Sequence, residues 1–435
     1  MTGPEATLRD ELIQQVWVID AVSQTDQVCD VLIQRGRITA IAPSLSEVPP
    51  DVTVLEGRGK LLIPGLVDLY SHSGEPGFES RETLKSLLLS AQAGGFTRVG
   101  LLPTTDPPVD SPALVNKVRM GRNGLAQSLP DATLPQLYPW GCLTRGARGE
   151  QMAELADLAE ADVVGFADDQ PIQNPLLVQR LLQYLKPVDK PVALWGCDRI
   201  LQDAGVAREG PYSLVYGLMG DPAISETAAL AALLEAVAIT GTPVHFMRLS
   251  TARGVTLIRQ GKAQGLPITA STTWMHLLFN TQDLSRYDPN LRLDPPLGNP
   301  ADQMALIEGV KTGVVDAIAV DHTPHTYEDK TVGFPSAPPG AIGLQLAWPI
   351  LWDRFVAQGD WSPLTLVRAL STNPAVIWGQ PPAVVGIDQP AEMALFDPEI
   401  SWQVSPETLQ SLSANTPWLG KTLKVQFAKT WMPQG

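Results

Sequence analysis

Cysteine is scarce in this 435-residue chain: Cys29, Cys142 and Cys197 lie far apart and form no CxxC pair. That excludes a disulfide framework and leaves three structural thiols. Basic residues are in deficit as well, with 31 Lys and Arg against 46 Asp and Glu and a formal charge of −15. Nucleic acid and anionic membrane surfaces both need basic patches, so neither is an expected partner, and the acidity reads as a solubility feature. No apolar run approaches the roughly 20 residues that a membrane-spanning helix needs. Residues 1–9 are polar and acidic and have no apolar signal core, so the expected location is the cytosol. No strand candidate is followed by a glycine-rich phosphate fingerprint, which weakens an open, doubly wound sheet as the architecture.

Apolar residues make up 44% of the chain, enough for a large core. The two ends share one texture. Leu12-Ile13, Val16 to Ile19, Val31 to Ile33 and Ile38 to Ile41 are short β-like pieces, and Met393 to Phe396 and Leu423 to Phe427 return to the same pattern. Residues 1–62 and 381–435 are therefore expected to build one small β-sandwich-like domain from both termini.

The middle, 63–380, alternates. Buried-strand candidates recur at 66–70, 97–103, 134–140, 163–169, 191–195, 243–250, 267–274 and 317–321. Helical patterns separate many of them. Leu84, Leu87, Leu88 and Ala91 fall on one face of a helix over 82–93, and 227–238 is so apolar that a largely buried helix is expected. Eight β/α repeats predict a TIM-like (β/α)₈ barrel. Chemistry in such barrels sits at the C-terminal strand ends. Polar residues collect there: Tyr70 and His72, Thr104, Asp168 and Asp169, Arg248, then Asp321, His322 and His325. Loops are polar in any protein, but Asp-His-Thr-Pro-His directly after Ala-Ile-Ala-Val marks a functional or once-functional site.

These residues also carry a resemblance. Pro64-Gly65-Leu66-Val67-Asp68, Glu75-Pro76-Gly77-Phe78-Glu79, Ala93-Gly94-Gly95-Phe96-Thr97, Phe166-Ala167-Asp168-Asp169, Leu249-Ser250-Thr251-Ala252 and Asp321-His322-Thr323-Pro324-His325 resemble, in order, the dihydroorotase family of the amidohydrolase superfamily. Asp397-Pro398 and Asn415-Thr416-Pro417 extend the match almost to the end. The resemblance implies a two-zinc hydrolase of pyrimidine biosynthesis that interconverts N-carbamoyl-aspartate and dihydroorotate. It implies a His-x-His pair after strand one, a bridging acid after strand four, single histidines after strands five and six, and an Asp after strand eight that serves as general base and acid.

Against that pattern the metal positions read Tyr70, His72, Asp169, Trp195, Arg248 and Asp321. Tryptophan offers an N–H and no lone pair, and arginine is cationic with no acceptor. A phenol with a pKa of about 10 ligates reluctantly. The metal nearest strands five and six is therefore expected to be lost, which leaves room for at most a single zinc held by His72, Asp169 and Asp321. The implied substrate-carboxylate clamp is eroded too: its arginine positions are Gly74 and Gly298, its asparagine positions Thr104 and Asp294, and only His325 remains.

Two structural expectations follow. Arg248 should replace the metal charge among Asp168, Asp169 and Asp321. Tyr70 and Trp195 should partly fill the metal cavity. The expected function is a dihydroorotase-like protein with little or no catalysis and a structural or regulatory role, without a resident cofactor. Family analogy implies a homo-oligomer or an aspartate transcarbamoylase-type partner. The alternatives are a single-metal cyclic-amide hydrolase, of dihydroorotase, hydantoinase or allantoinase type, and a small-molecule binder.

Overall fold

The computed structural model describes residues 10–46, 49–129 and 133–432, so the polar segment 1–9 lies outside the described residues. Strands from both ends of the chain form one seven-stranded sheet. Its order is Thr422–Trp431, Met393–Gln403, Leu61–Pro64, Glu11–Asp20, Thr25–Gln34 and Arg37–Ala42, with Thr53–Glu56 also pairing with Glu11–Asp20. Ile13, Val16, Val18, Val31, Leu62, Met393 and Leu395 point into a shared apolar core. A shift of register between Ile13 and Val16 keeps both side chains buried on the same sheet.

The middle is the barrel. Leu66–Ser71, Phe96–Leu101 and Gln136–Pro139 pair in parallel, as do Ala193–Trp195, Val244–Met247, Ile268–Thr273 and Ala317–Ala319. Strands one and eight close the ring: Asp321 N donates to Tyr70 O at 3.2 Å, and His72 N to His322 O at 2.8 Å. The expected fourth strand is reduced to a bridge at Phe166, which pairs with Gly141 on one side and Val192 on the other. Its neighbours explain this. Val164 N and Phe166 N donate to the carbonyls of Pro139 and Pro191, which have no N–H to return. Asp169 then ends the segment with a left-handed backbone, φ 61°.

Local chemistry fixes the helices around the ring. Leu84–Ala93 starts at a capping box between Thr83 and Ser86, and its apolar stripe is buried. Ile224–Thr240 differs from expectation. It turns Leu230, Leu234 and Val237 inward, while Ile224 and Ile239 are 54% and 71% exposed. Alanines make up much of its outward side, and they give the segment its apolar average without demanding burial.

The sheet and the barrel are stitched at the N-terminal end of the ring. Arg98, on Phe96–Leu101, forms a two-point ion pair with Glu392 (Nε–Oε1 2.8 Å, Nη2–Oε2 2.6 Å). Its remaining Nη1 donates to Gln380 Oε1 and Pro381 O, and Thr97 Oγ1 donates to the same carboxylate. Among the described residues no helix is long and apolar enough to cross a membrane.

Candidate functional site at the barrel mouth

Three strand ends converge on one ion cluster. Asp169, Arg248 and Asp321 end the fourth, sixth and eighth barrel segments, and each has a left-handed backbone (φ 61°, 56° and 52°). Such a conformation is costly for a side-chain-bearing residue and persists where its surroundings fix it. The turn at each strand end swings the side chain inward. Arg248 Nε and Nη2 grip Asp321 Oδ2 and Oδ1 at 2.9 and 2.7 Å. The same Nη2 lies 2.7 Å from Asp169 Oδ1 and 3.3 Å from His72 Nε2. Nη1 donates to Asp169 O at 3.0 Å. Burial pulls the guanidinium pKa down, but Asp321 and Asp169 more than reverse that and hold it above its ordinary value. The cluster is thus a permanent buried cation between two carboxylates.

His72 Nε2 stands 3.7 Å from Asp169 Oδ1 and 3.7 Å from Asp321 Oδ1. These three side chains surround one point, and Arg248 Nη2 occupies it. A divalent ion cannot share that point with a guanidinium. Trp195 closes one side with its ring: Arg248 Cζ lies 5.0 Å from the ring centroid, and Arg199 Cζ lies 4.5 Å from it. Tyr70 is fully buried beneath, its hydroxyl 2.9 Å from Ser271 Oγ and accepting from Arg248 N. Burial and the Asp321 charge raise its pKa, so it stays a neutral phenol. Among the described residues no group of three or more His, Cys, Asp or Glu is arranged to hold a metal. The donor set that the resemblance implies for zinc does not fit a metal ion in this conformation.

Asp168 is not part of the cluster, contrary to expectation. Its carboxylate turns away to accept from Thr144 N at 2.9 Å and from Thr144 Oγ1. Burial pushes its pKa up to about 6. The left-handed turn at Asp169 swings that side chain toward the mouth and leaves Asp168 facing Thr144.

The pocket above the cluster keeps a volume of about 320 Å³, with Trp195, Arg248, Asp294 and His325 in its wall. Tyr70 lies below it, so filling is partial. Thr104 Oγ1 donates to Asp169 Oδ2 at 3.0 Å instead of facing a ligand. Asp294 is held by Arg199 Nη1 at 2.8 Å and Gln202 Nε2 at 2.9 Å. His325 bonds Pro339 O through Nε2, and its buried Nδ1 has no hydrogen-bond partner among the described residues. Burial lowers its pKa to about 4, so the ring is neutral.

The two glycines at the positions where the resemblance implies clamp arginines are closely packed. A Cβ on Gly74 would lie 2.2 Å from Phe78 O, and one on Gly298 would lie 3.0 Å from Ser250 O and 2.6 Å from Asp302 Cβ. His276, which sequence reasoning missed, also lines the pocket. It is tied to Thr273 Oγ1 and Pro295 O, and burial lowers its pKa to about 4. Its position after the seventh strand was the available signal. His322 is structural, bound to Glu82 and to the backbone of Gly343.

A parallel barrel carrying a sheet from both termini, with a polar cluster at its C-terminal mouth, defines an amidohydrolase-type fold. Solved structures agree. L-hydantoinase from Arthrobacter aurescens superposes with a TM-score of 0.84 at 19% identity, covering 98% of this chain and 97% of its own. Residues 59–252 match the family model described as dihydro-orotase-like. A probable dihydroorotase-like protein of Synechocystis sp. is 44% identical over 94% of this chain and 97% of its own length. A dihydroorotase of Pelotomaculum thermopropionicum is 36% identical over 95% of each. The chain belongs to the dihydroorotase-like family.

Proposed function

We propose that this chain is a non-hydrolytic member of its family with a structural or regulatory role, in which Arg248 supplies the positive charge that metals supply in a two-zinc hydrolase. One observation carries the reading: Arg248 Nη2 sits among His72, Asp169 and Asp321, at 2.7 Å from both carboxylates. Hydrolysis of a cyclic amide needs a carbonyl polariser and a water made acidic enough to ionise near neutral pH, both of which zinc provides. A guanidinium with a raised pKa cannot ionise a water, and its Nε, Nη1 and Nη2 already donate to Asp321 and to the carbonyl of Asp169. Asp321, the family's general base position, is held by two of those bonds. No step through a metal follows from this donor set.

Metal analysis of protein purified with zinc in the growth medium tests this, paired with turnover assays on dihydroorotate, N-carbamoyl-aspartate and hydantoin. The expected result is zinc well below stoichiometry and no turnover above background. Stoichiometric zinc with turnover would instead establish the single-metal hydrolase, with Arg248 displaced from His72, Asp169 and Asp321. Small-molecule binding without chemistry draws support from the surviving pocket and the free Nδ1 of His325. Thermal stabilisation by N-carbamoyl-aspartate without its conversion would favour that second reading.

A further inference from the structure

A second and larger cavity, of about 900 Å³, opens at the opposite end of the ring from the ion cluster. Gln136, Val163, Pro191 and Pro243 place it at the N-terminal ends of the third to sixth barrel segments. Barrels keep their chemistry at the other end, so a cavity here is a place to bind rather than to react. Its charge runs opposite to that of the molecule. The chain carries −15, yet the cavity wall holds Arg119, Arg122, Lys186 and Lys190 against Asp162 and Asp189. Arg119 and Lys190 share the carboxylate of Asp162, at 2.6 and 3.2 Å. Arg122 and Lys186 have no carboxylate partner among the described residues. They donate to main-chain carbonyls instead: Arg122 Nε and Nη2 to Pro135 O and Leu134 O, and Lys186 Nζ to Thr240 O at 2.7 Å. A carbonyl oxygen is a neutral acceptor, so neither cation is neutralised. A third donor lacks an acceptor altogether. Trp378 lines the cavity and is 3% exposed, and its buried Nε1 has no hydrogen-bond partner among the described residues. Folded chains rarely leave a buried N–H in that state, and an acceptor on a ligand would satisfy it. The ring of Tyr138 packs beside that of Trp378, centroid to centroid 5.2 Å, and gives the same wall an apolar part.

We propose that this cavity binds a small phosphorylated molecule, whose phosphate is held by Arg122 and Lys186 and whose body lies along Tyr138 and Trp378. Arg122 stands on the helix Pro112–Ser128 and Lys186 just past the helix Pro175–Leu185, so the two cations reach the cavity from different elements. Donors arriving from two sides suit a group with two negative charges and several acceptor oxygens. A phosphate is such a group, and a single carboxylate is not. The volume lies within the roughly 300–1,000 Å³ of small-molecule sites. A nucleic acid or an anionic membrane would have to approach across the acidity of the whole chain, whereas a small anion needs only the local field. The site is separate from the mouth, and the inference stands whether or not the mouth hydrolyses anything.

Calorimetric titration of the full chain with inorganic pyrophosphate, at fixed ionic strength, tests the site. The expected result is one saturable site with a Kd below about 1 mM, and binding of succinate at least about tenfold weaker. Arg122→Gln and Lys186→Gln should each weaken pyrophosphate at least about tenfold, the usual scale for losing a hydrogen bond to a charged group. Lys186 is exposed, so its variant should keep the wild-type thermal midpoint without ligand and separates lost binding from lost folding. Arg81→Gln removes a cation from the wall of the mouth pocket and should leave the affinity unchanged. The absence of saturable binding up to about 10 mM pyrophosphate would overturn the proposal. So would binding indifferent to both cavity substitutions, or binding lost in Arg81→Gln alone, which would put the anion at the mouth. Succinate binding as tightly as pyrophosphate would overturn the assignment to phosphate.

Discussion

Two buried arginines of this molecule make nearly the same bonds and do different things. Arg98 and Glu392 join barrel to sheet at the N-terminal end of the ring, and Arg248 holds Asp169 and Asp321 at the opposite end. Every donor of Arg98 has an ordinary partner, and neither residue of the pair has a left-handed backbone. All three members of the Arg248 cluster do. The lower pair is a stitch that the fold could have placed anywhere. The upper cluster is bent into its position, against a pocket, at strand ends where barrels carry their chemistry. Bond lengths alone do not separate the two; backbone conformation and surroundings do.

The sharpest way to break that comparison is to remove both arginines. Arg98→Ala and Arg248→Ala each leave buried carboxylate uncompensated, and each should lose about 3–5 kcal/mol of stability in denaturant titrations. The two should then part. Millimolar manganese or zinc should restore much of the loss in Arg248→Ala, because His72, Asp169 and Asp321 face one vacated point, and should leave Arg98→Ala unchanged. Equal responses from the two variants would erase the distinction.

A smaller effect concerns proton uptake near the mouth. His276 is held neutral in the folded chain, with its pKa lowered to about 4 from an ordinary 6.5. The unfolded chain therefore binds more protons below pH 6.5, and stability present above that pH is lost as pH falls toward 4. His276→Gln should flatten the stability profile between those values by up to about one proton, whatever its cost at neutral pH. An unchanged slope would show that the ring is not held neutral by the fold.

The smallest effect is expected at Arg199, a third of whose side chain is open to solvent where it bridges Asp294 and the ring of Trp195. Arg199→Ala should cost no more than about 1 kcal/mol. Its signature is a change in tryptophan emission, since Trp195 loses one of its two flanking cations.

The barrel was legible because parallel strands buried on both faces read as apolar runs, and because the polar residues fall at their ends. The strand ends therefore placed His72, Asp169, Arg248 and Asp321 around one mouth, and the family resemblance added Trp195. Side-chain direction was not legible. Whether Asp168 or Asp169 faces the mouth depends on a left-handed turn, and His276 reaches the pocket from the short helix Trp274–Leu278, just past the seventh strand. The exposure of Ile224–Thr240 escaped for another reason: mean apolarity cannot distinguish alanine on an outer surface from leucine inside. The shortened fourth strand depends on prolines belonging to its neighbours, a non-local cause.

The glycines at 74 and 298 carry a consequence for what the mouth can hold. Imidazoles at 70, 195 and 248 would exchange one side chain for another, whereas a side chain at 74 or 298 needs the chain around it to move. An arginine at either position would therefore meet neighbouring chain atoms before it met a ligand. Packed this way, the two loops leave no room for a guanidinium at those positions, whatever the scaffold does.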